Sequence, residues 1–441
     1  MIKTNRGAVI LAMTLALAGC GVFKKAKPKG ALLGERVAIL QAETGVETDP
    51  SLAAVPVALP APVVNDSWAM TGGNADKVMG NLALSATPSR IWEARIAGGN
   101  KEARLAAAPV IAGGRLYAMG TDATVTAFDA NSGAKLWAVK FGDADKSDSK
   151  SLFGGGVSVD GDMLYVTNGL GDAGALKAAD GSTVWRQKLG APLRGAPTVA
   201  LGSIYVISQD NQLFALNAAD GKTQWTSAAA VQLANVFGAA APSVAQGTVV
   251  AGFSSGDLNA YRYENGRTLW NDALSRTSIN TSVGSLTDVD AGAVIDQGRV
   301  FAVGQGGRMV ALELVTGQRA WELNIAGIST PAVAGDWVFV VTDEAKLLCV
   351  SRGTGKVKWA TQLQRYTGKK NKGRPISWSG PVIAGGNLWL VSTEGQLQSV
   401  SPDTGAAGGI TELKAGASLA PVVANSTLYV LTSDGRIIAF R

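Results

Sequence analysis

Asp288 and Asp290 stand two residues apart in the stretch SVGSLTDVDAGA, residues 282–293. Paired carboxylates in a glycine-rich connection can hold a cation, share a proton in acid–base chemistry, or face a basic partner. Read as a calcium loop starting at Asp288, the stretch puts Gly292 at the fifth position and Arg299 at the twelfth, where oxygen ligands are required. No second acidic cluster with ligand spacing adjoins it. The pair therefore reads as an acidic patch or as turn residues. The chain contains no histidine, which removes imidazole acid–base catalysis, His-activated nucleophiles and almost every familiar zinc or copper site. No catalytic residue, cofactor site or metal site is expected.

A second constellation is LGAPLRGAP, residues 189–197, in which Leu193 and Arg194 are flanked by Pro192, Gly195 and Pro197. One apolar anchor beside one guanidinium is the composition of a protein–protein hot spot. The stiff loop is expected to present both side chains to a partner. On that reading Arg194→Glu weakens partner binding and leaves the fold intact.

The elements that position these residues follow from a repeat. A short apolar strand, a turn, Gly, three residues and Trp recur as AFDANSGAKLW, ALKAADGSTVW, ALNAADGKTQW, AYRYENGRTLW, ALELVTGQRAW and CVSRGTGKVKW. They end at Trp137, Trp185, Trp225, Trp270, Trp321 and Trp359, and a seventh copy, SVSPDTGAAGG, has Gly409 in the tryptophan position. Successive tryptophans are 38 to 51 residues apart, the length of one four-stranded unit. The segment APTVALGSIYVISQDNQLFALNAADGKTQW shows all four strands, with Gly, Asn and Asp at the turns. The chain stops after three strands of a last unit, and SRIWEARIAGG near residue 92 supplies a Trp strand without the preceding three. The expected fold is all-β: an eight-bladed propeller closed by pairing of its N- and C-terminal strands, which removes open sheet edges. The tryptophans are expected to pack between blades, and Cys349 in KLLCVSR to be a buried strand residue.

Links between blades include 142–155, 228–239, 271–293 and 364–380, far longer than the turns on the opposite face. Long connections on a rigid scaffold carry binding residues. Asp288, Asp290, Leu193 and Arg194 are accordingly expected on one elaborated face.

The first residues, MIKTNRGAVILAMTLALAGC, give a short basic start, an apolar run too short to span a bilayer, and LAGC. Those four residues resemble a bacterial lipobox. They imply a signal peptide over 1–19, lipidation at Cys20 and, with Gly21 following, retention at the outer membrane facing the periplasm. Residues 20–66, rich in Lys and then in Pro and Ala, are expected to form a flexible tether and linker, and 67–441 the propeller. Cleavage lowers the formal charge from +6 to +4, which does not point to nucleic acid.

The A-x-x-A-x-x-G-x-x-x-W repeat resembles the docking motif of quinoprotein alcohol dehydrogenases and their PQQ-like relatives. With the lipobox and the missing histidines, the chain resembles the BamB family, lipoproteins of the outer-membrane β-barrel assembly (BAM) complex. The resemblance covers nearly all of residues 68–441. It implies a non-catalytic scaffold that docks on the periplasmic POTRA domains of BamA and assists outer-membrane proteins, with possible contact to unfolded ones. PLRGAP resembles the family loop whose leucine and arginine bind BamA, which places those roles on Leu193 and Arg194. LTDVD resembles the family loop with two functional aspartates, which places them on Asp288 and Asp290. An upstream leucine of the first family loop has only Ala191 or Pro192 near its place. The alternatives are a PQQ-dependent quinoprotein dehydrogenase, which typically carries an adjacent cysteine pair, and a periplasmic scaffold with another partner.

Overall fold

The middle strands of each repeat are nearly unbroken apolar runs, such as Ser203–Ile207 and Trp337–Val341, and both are buried along their whole length. The fourth strands alternate: Lys135–Lys140 and Thr183–Lys188 expose every second residue. Continuous burial marks strands covered on both faces, and alternation marks strands with one wet face. The computed structural model describes residues 46–100, 103–142, 153–230, 240–275, 287–368 and 373–441. The expected signal peptide over 1–19 and Cys20 lie outside the described residues.

Eight four-stranded antiparallel sheets form the fold, as expected. Blades 1 to 7 span 110–140, 155–188, 198–228, 243–273, 294–323, 332–362 and 378–412. Blade 8 takes three strands from 422–440 and its outer strand from Arg90–Arg95. In that closure Trp92 lies opposite Ala439 and Ala94 opposite Ile437.

The repeated Gly and Trp act between blades. The Trp137 indole Nε1 donates to Ala178 O of blade 2 at 3.2 Å, Trp185 to Ala218 O at 3.0 Å, and Trp270 to Leu314 O at 2.8 Å. Trp92 of blade 8 reaches Ala130 O of blade 1 in the same way, at 3.2 Å. Each indole lies against the motif glycine of the next blade. A Cβ at Gly317 would come 2.5 Å from Trp270, and one at Gly221 2.4 Å from Trp185. The single step without a tryptophan runs from blade 7, at Gly409, to blade 8. Blade 8 has no turn between its third and fourth strands, because these come from distant parts of the sequence and meet through Ser89 and Arg441. No motif glycine exists there to receive an indole. Trp270→Ala, which empties a buried site and removes a hydrogen bond, is expected to cost roughly 3–5 kcal/mol, measured by equilibrium urea unfolding.

The chain before Arg90 departs from expectation. Residues 46–66 do not hang free but pack on the propeller. Val57 is buried against Ala334, Trp337 and Phe339. Asp49 N donates to Val357 O at 2.7 Å, and Lys358 Nζ donates to Leu52 O at 3.0 Å and to Val55 O at 2.5 Å. Apolar residues spaced among the prolines give this segment something to bury, so it docks instead of behaving as a linker. Residues 65–84 then cross the mouth of the central channel on the face of the short turns. They bond to the innermost strands of blades 8, 1, 2, 4, 5 and 7 in turn. The pairs are Asn425 N to Asn65 O, Trp68 with Ile111, Val159 N to Ala69 O, Val244 N to Ala75 O, Ile295 N to Asp76 O, and Leu82 N to Ile383 O. This strap caps strand edges that no neighbouring strand pairs.

Candidate functional site

The loop 189–197 connects blades 2 and 3 and is held from both sides by its own backbone. Arg194 N donates to Ile207 O at 2.8 Å, Gln209 N to Pro192 O at 2.8 Å, and Gly155 N to Arg194 O at 3.0 Å. Thr167 Oγ1 donates to Gly195 O at 2.8 Å. Pinned on two blades, the loop directs its side chains inward. Leu193 is fully buried and packs in a cluster with Met70, Tyr165, Val206 and Phe214. Arg194 is 2% exposed. The expectation that this loop presents an apolar anchor and a cation to solvent is thus corrected: both side chains are interior.

The second link, 287–293, connects blades 4 and 5. Thr287 Oγ1 donates to Ser254 O at 3.1 Å, Val289 N to Phe253 O at 3.2 Å, and Gln305 N to Asp288 O at 3.0 Å. Both aspartates also face inward, Asp288 at 1% exposure. They do not form a surface acidic patch.

The structure brings all four expected site residues to one region and joins three of them. Arg194 Nη2 lies 2.6 Å from Asp288 Oδ1 and 2.9 Å from Asp290 Oδ1. Gln305 Nε2 donates to Asp290 Oδ2 at 3.1 Å. One guanidinium thus ties the link between blades 2 and 3 to the link between blades 4 and 5. Among the described residues, one cation faces two carboxylates, which leaves an excess of negative charge in a buried place. Burial first, and then the charge of Asp288, push Asp290 up to about 7, with Arg194 opposing both. No group of three or more His, Cys, Asp or Glu side chains gathers at metal-binding distance among the described residues. The arrangement is an electrostatic strut.

Its pH dependence has a definite sign. A carboxyl whose pKa is raised on folding costs no stability below its unfolded value near 3.8. It then destabilises progressively as pH rises to about 7. Asp290→Asn should therefore flatten the stability–pH curve between pH 4 and 7, with the variant gaining on wild type toward neutrality. The gain is bounded at roughly 4 kcal/mol. Urea midpoints at pH 4.5, 6 and 7.5 check this.

Inside this face lies a cavity of about 350 Å³ in the central channel, with the strap on its other side and Asp290 and Gln305 in its wall. Lys77, which the sequence did not single out, lines the same cavity from the strap. The polar turn residues of NADKVMGN were the only signal for it. The expected lipidation at Cys20, and parts of the long blade-to-blade links, lie outside the described residues.

The family described as outer membrane protein assembly factor BamB matches residues 121–361. Outer membrane protein assembly factor BamB of Salmonella typhimurium is 28% identical over 275 residues, covering 62% of this chain and 70% of that protein. The crystal structure of BamB from Moraxella catarrhalis superposes with a TM-score of 0.67 at 17% identity, covering 80% of this chain and all of that one. Quinohemoprotein alcohol dehydrogenase from Comamonas testosteroni has the same TM-score, 0.67, at 13% identity, covering 90% and 83%. The propeller alone does not separate assembly factors from dehydrogenases.

Proposed function

Because the chain belongs to the family of the outer membrane protein assembly factor BamB, we propose that it is a non-catalytic scaffold lipoprotein of the BAM complex. In this reading an acyl anchor at Cys20 holds it on the outer membrane, facing the periplasm, and the loop-rich face docks on the POTRA domains of BamA. The observation that carries the reading is the Arg194–Asp288–Asp290 strut. It fixes two loops of that face relative to each other, so that a partner meets a preorganised surface and less ordering entropy is lost on binding. Leu193, Arg194, Asp288 and Asp290 then serve the interface as positioning residues. Leu193 and Arg194 seat one loop, and the aspartates hold the other to it.

The dehydrogenase reading finds no support in residues. The chain has two cysteines, Cys20 and Cys349, so it lacks an adjacent pair, and Cys349 is a buried strand residue whose thiol burial pushes up to about 12. Co-purification from detergent-solubilised membranes tests the proposal: BamA should accompany the tagged protein. Recovery of the tagged protein without BamA would count against it.

A further inference from the structure

The strap carries a buried lysine with no carboxylate in contact among the described residues, the adjacent Asp76 acting on it only through space. Lys77 is 4% exposed. Its Nζ donates to Thr71 O at 3.1 Å, and it forms no salt bridge among the described residues. An ammonium has three donors, and burying it with one neutral acceptor is costly. A flexible lysine in a loop escapes that cost by turning outward, yet here the local structure is built to prevent it. Asn74 closes the turn through Asn74 Oδ1, which accepts from Val78 N at 3.0 Å, and Asn74 Nδ2, which donates to Val78 O at 2.9 Å. That turn holds Lys77 at a φ of 64°, in the left-handed region. Two glycines clear the path for its stem. A Cβ at Gly72 would lie 2.8 Å from Lys77 Cγ, and a Cβ at Gly292 would lie 2.6 Å from Cδ and Cε. Gly292 belongs to the same link that carries Asp288 and Asp290.

Two basic side chains, Lys77 and the exposed Arg104, line the cavity. The one acidic lining residue among those described is Asp290, which shares Arg194 with Asp288 and is itself pushed up to about 7. The rest of the wall is largely apolar, including Trp68, Met79, Leu105 and Val382. Its volume of about 350 Å³ falls in the range of small-molecule sites.

We propose that the central channel, closed below by the strap, is a binding site for a small organic carboxylate, whose anionic end pairs with Lys77 and whose apolar body fills the space against Trp68 and Met79. The bound anion supplies the contact ion pair that Lys77 lacks among the described residues. Binding is coupled to protonation: burial, opposed by the charge of Asp76, pushes the free Lys77 ammonium down to about 7, and Asp290 in the same wall ionises over the same range, so affinity falls as pH rises above that value. This site is independent of BamA docking, and its test does not use BamA.

The probe is 3-phenylpropionate, compared with 3-phenylpropionamide, by calorimetry and thermal melting of the full chain. The expected result is saturable binding of the carboxylate, at least tenfold weaker binding of the amide, and affinity lower at pH 8.5 than at pH 6.5. Lys77→Met should abolish the carboxylate preference. The wild-type comparison of acid and amide stands even if that variant folds poorly. Equal binding of acid and amide, no saturable binding of the acid, or an unchanged preference in a folded Lys77→Met protein would each overturn the proposal.

Discussion

Arg194→Glu should destabilise the protein severely. The substitution removes the guanidinium that, among the described residues, pairs Asp288 and Asp290, and it puts a third carboxylate into a site with almost no solvent access. Breaking a buried pair costs about 3–5 kcal/mol because the remaining charge is uncompensated, and the added acid raises that cost. The sequence alone suggested the opposite, an intact fold with a weakened surface contact. The pattern of rescue shows whether the strut is the cause. Arg194→Met should lose most of the same stability, and adding Asp288→Asn and Asp290→Asn should restore much of it by removing the unpaired charges. Urea unfolding of the four proteins is the measurement. Wild-type stability in Arg194→Glu, or no recovery in the triple variant, would contradict the buried strut.

Removal of the strap should have a comparable effect. A chain starting at Ser89 keeps the closing strand Arg90–Arg95 but loses every bond from 46–88 to the inner strands. Donors such as Val159 N, Val244 N and Ile295 N lose their acceptors, each worth about 1 kcal/mol net. Trp68 and Leu82, 5% and 2% exposed, no longer cover blades 1, 7 and 8. Together the loss is on the order of 5 kcal/mol or more, a fall in melting temperature of roughly 7 °C or more. An unchanged melting temperature would mean that the strap only rests on a ring complete without it.

The ring was legible because each blade repeats the same constraint. A glycine at a fixed distance from a tryptophan recurs wherever an indole of one blade must lie on the turn of the next, and Gly409 marks the one place where that turn is missing. The strap was illegible for the converse reason. Residues 46–84 meet a different blade every few positions, so they carry no period, and Pro-rich composition in 49–63 resembles a free linker. The site was half legible. Residue types and loop chemistry marked Leu193, Arg194, Asp288 and Asp290, and the loops do lie on one face. Burial was not legible, since Arg194 finds its partners 94 and 96 residues away, a pairing that no local pattern announces. Arginine in a Pro-Gly loop looks solvated until a distant pair of aspartates is placed beside it.

On the proposed reading, this scaffold binds BamA through a face whose loops the strut holds in place. Calorimetric titration of the purified protein with the purified POTRA domains of BamA tests it most directly, run on wild type, Arg194→Met and the triple variant Arg194→Met/Asp288→Asn/Asp290→Asn. Wild type should bind saturably, Arg194→Met at least tenfold more weakly, and the triple variant should recover, because interior residues act through loop position and not by touching the partner. Absence of binding by wild type would contradict the scaffold assignment, and equal binding by wild type and Arg194→Met would contradict the role of the strut.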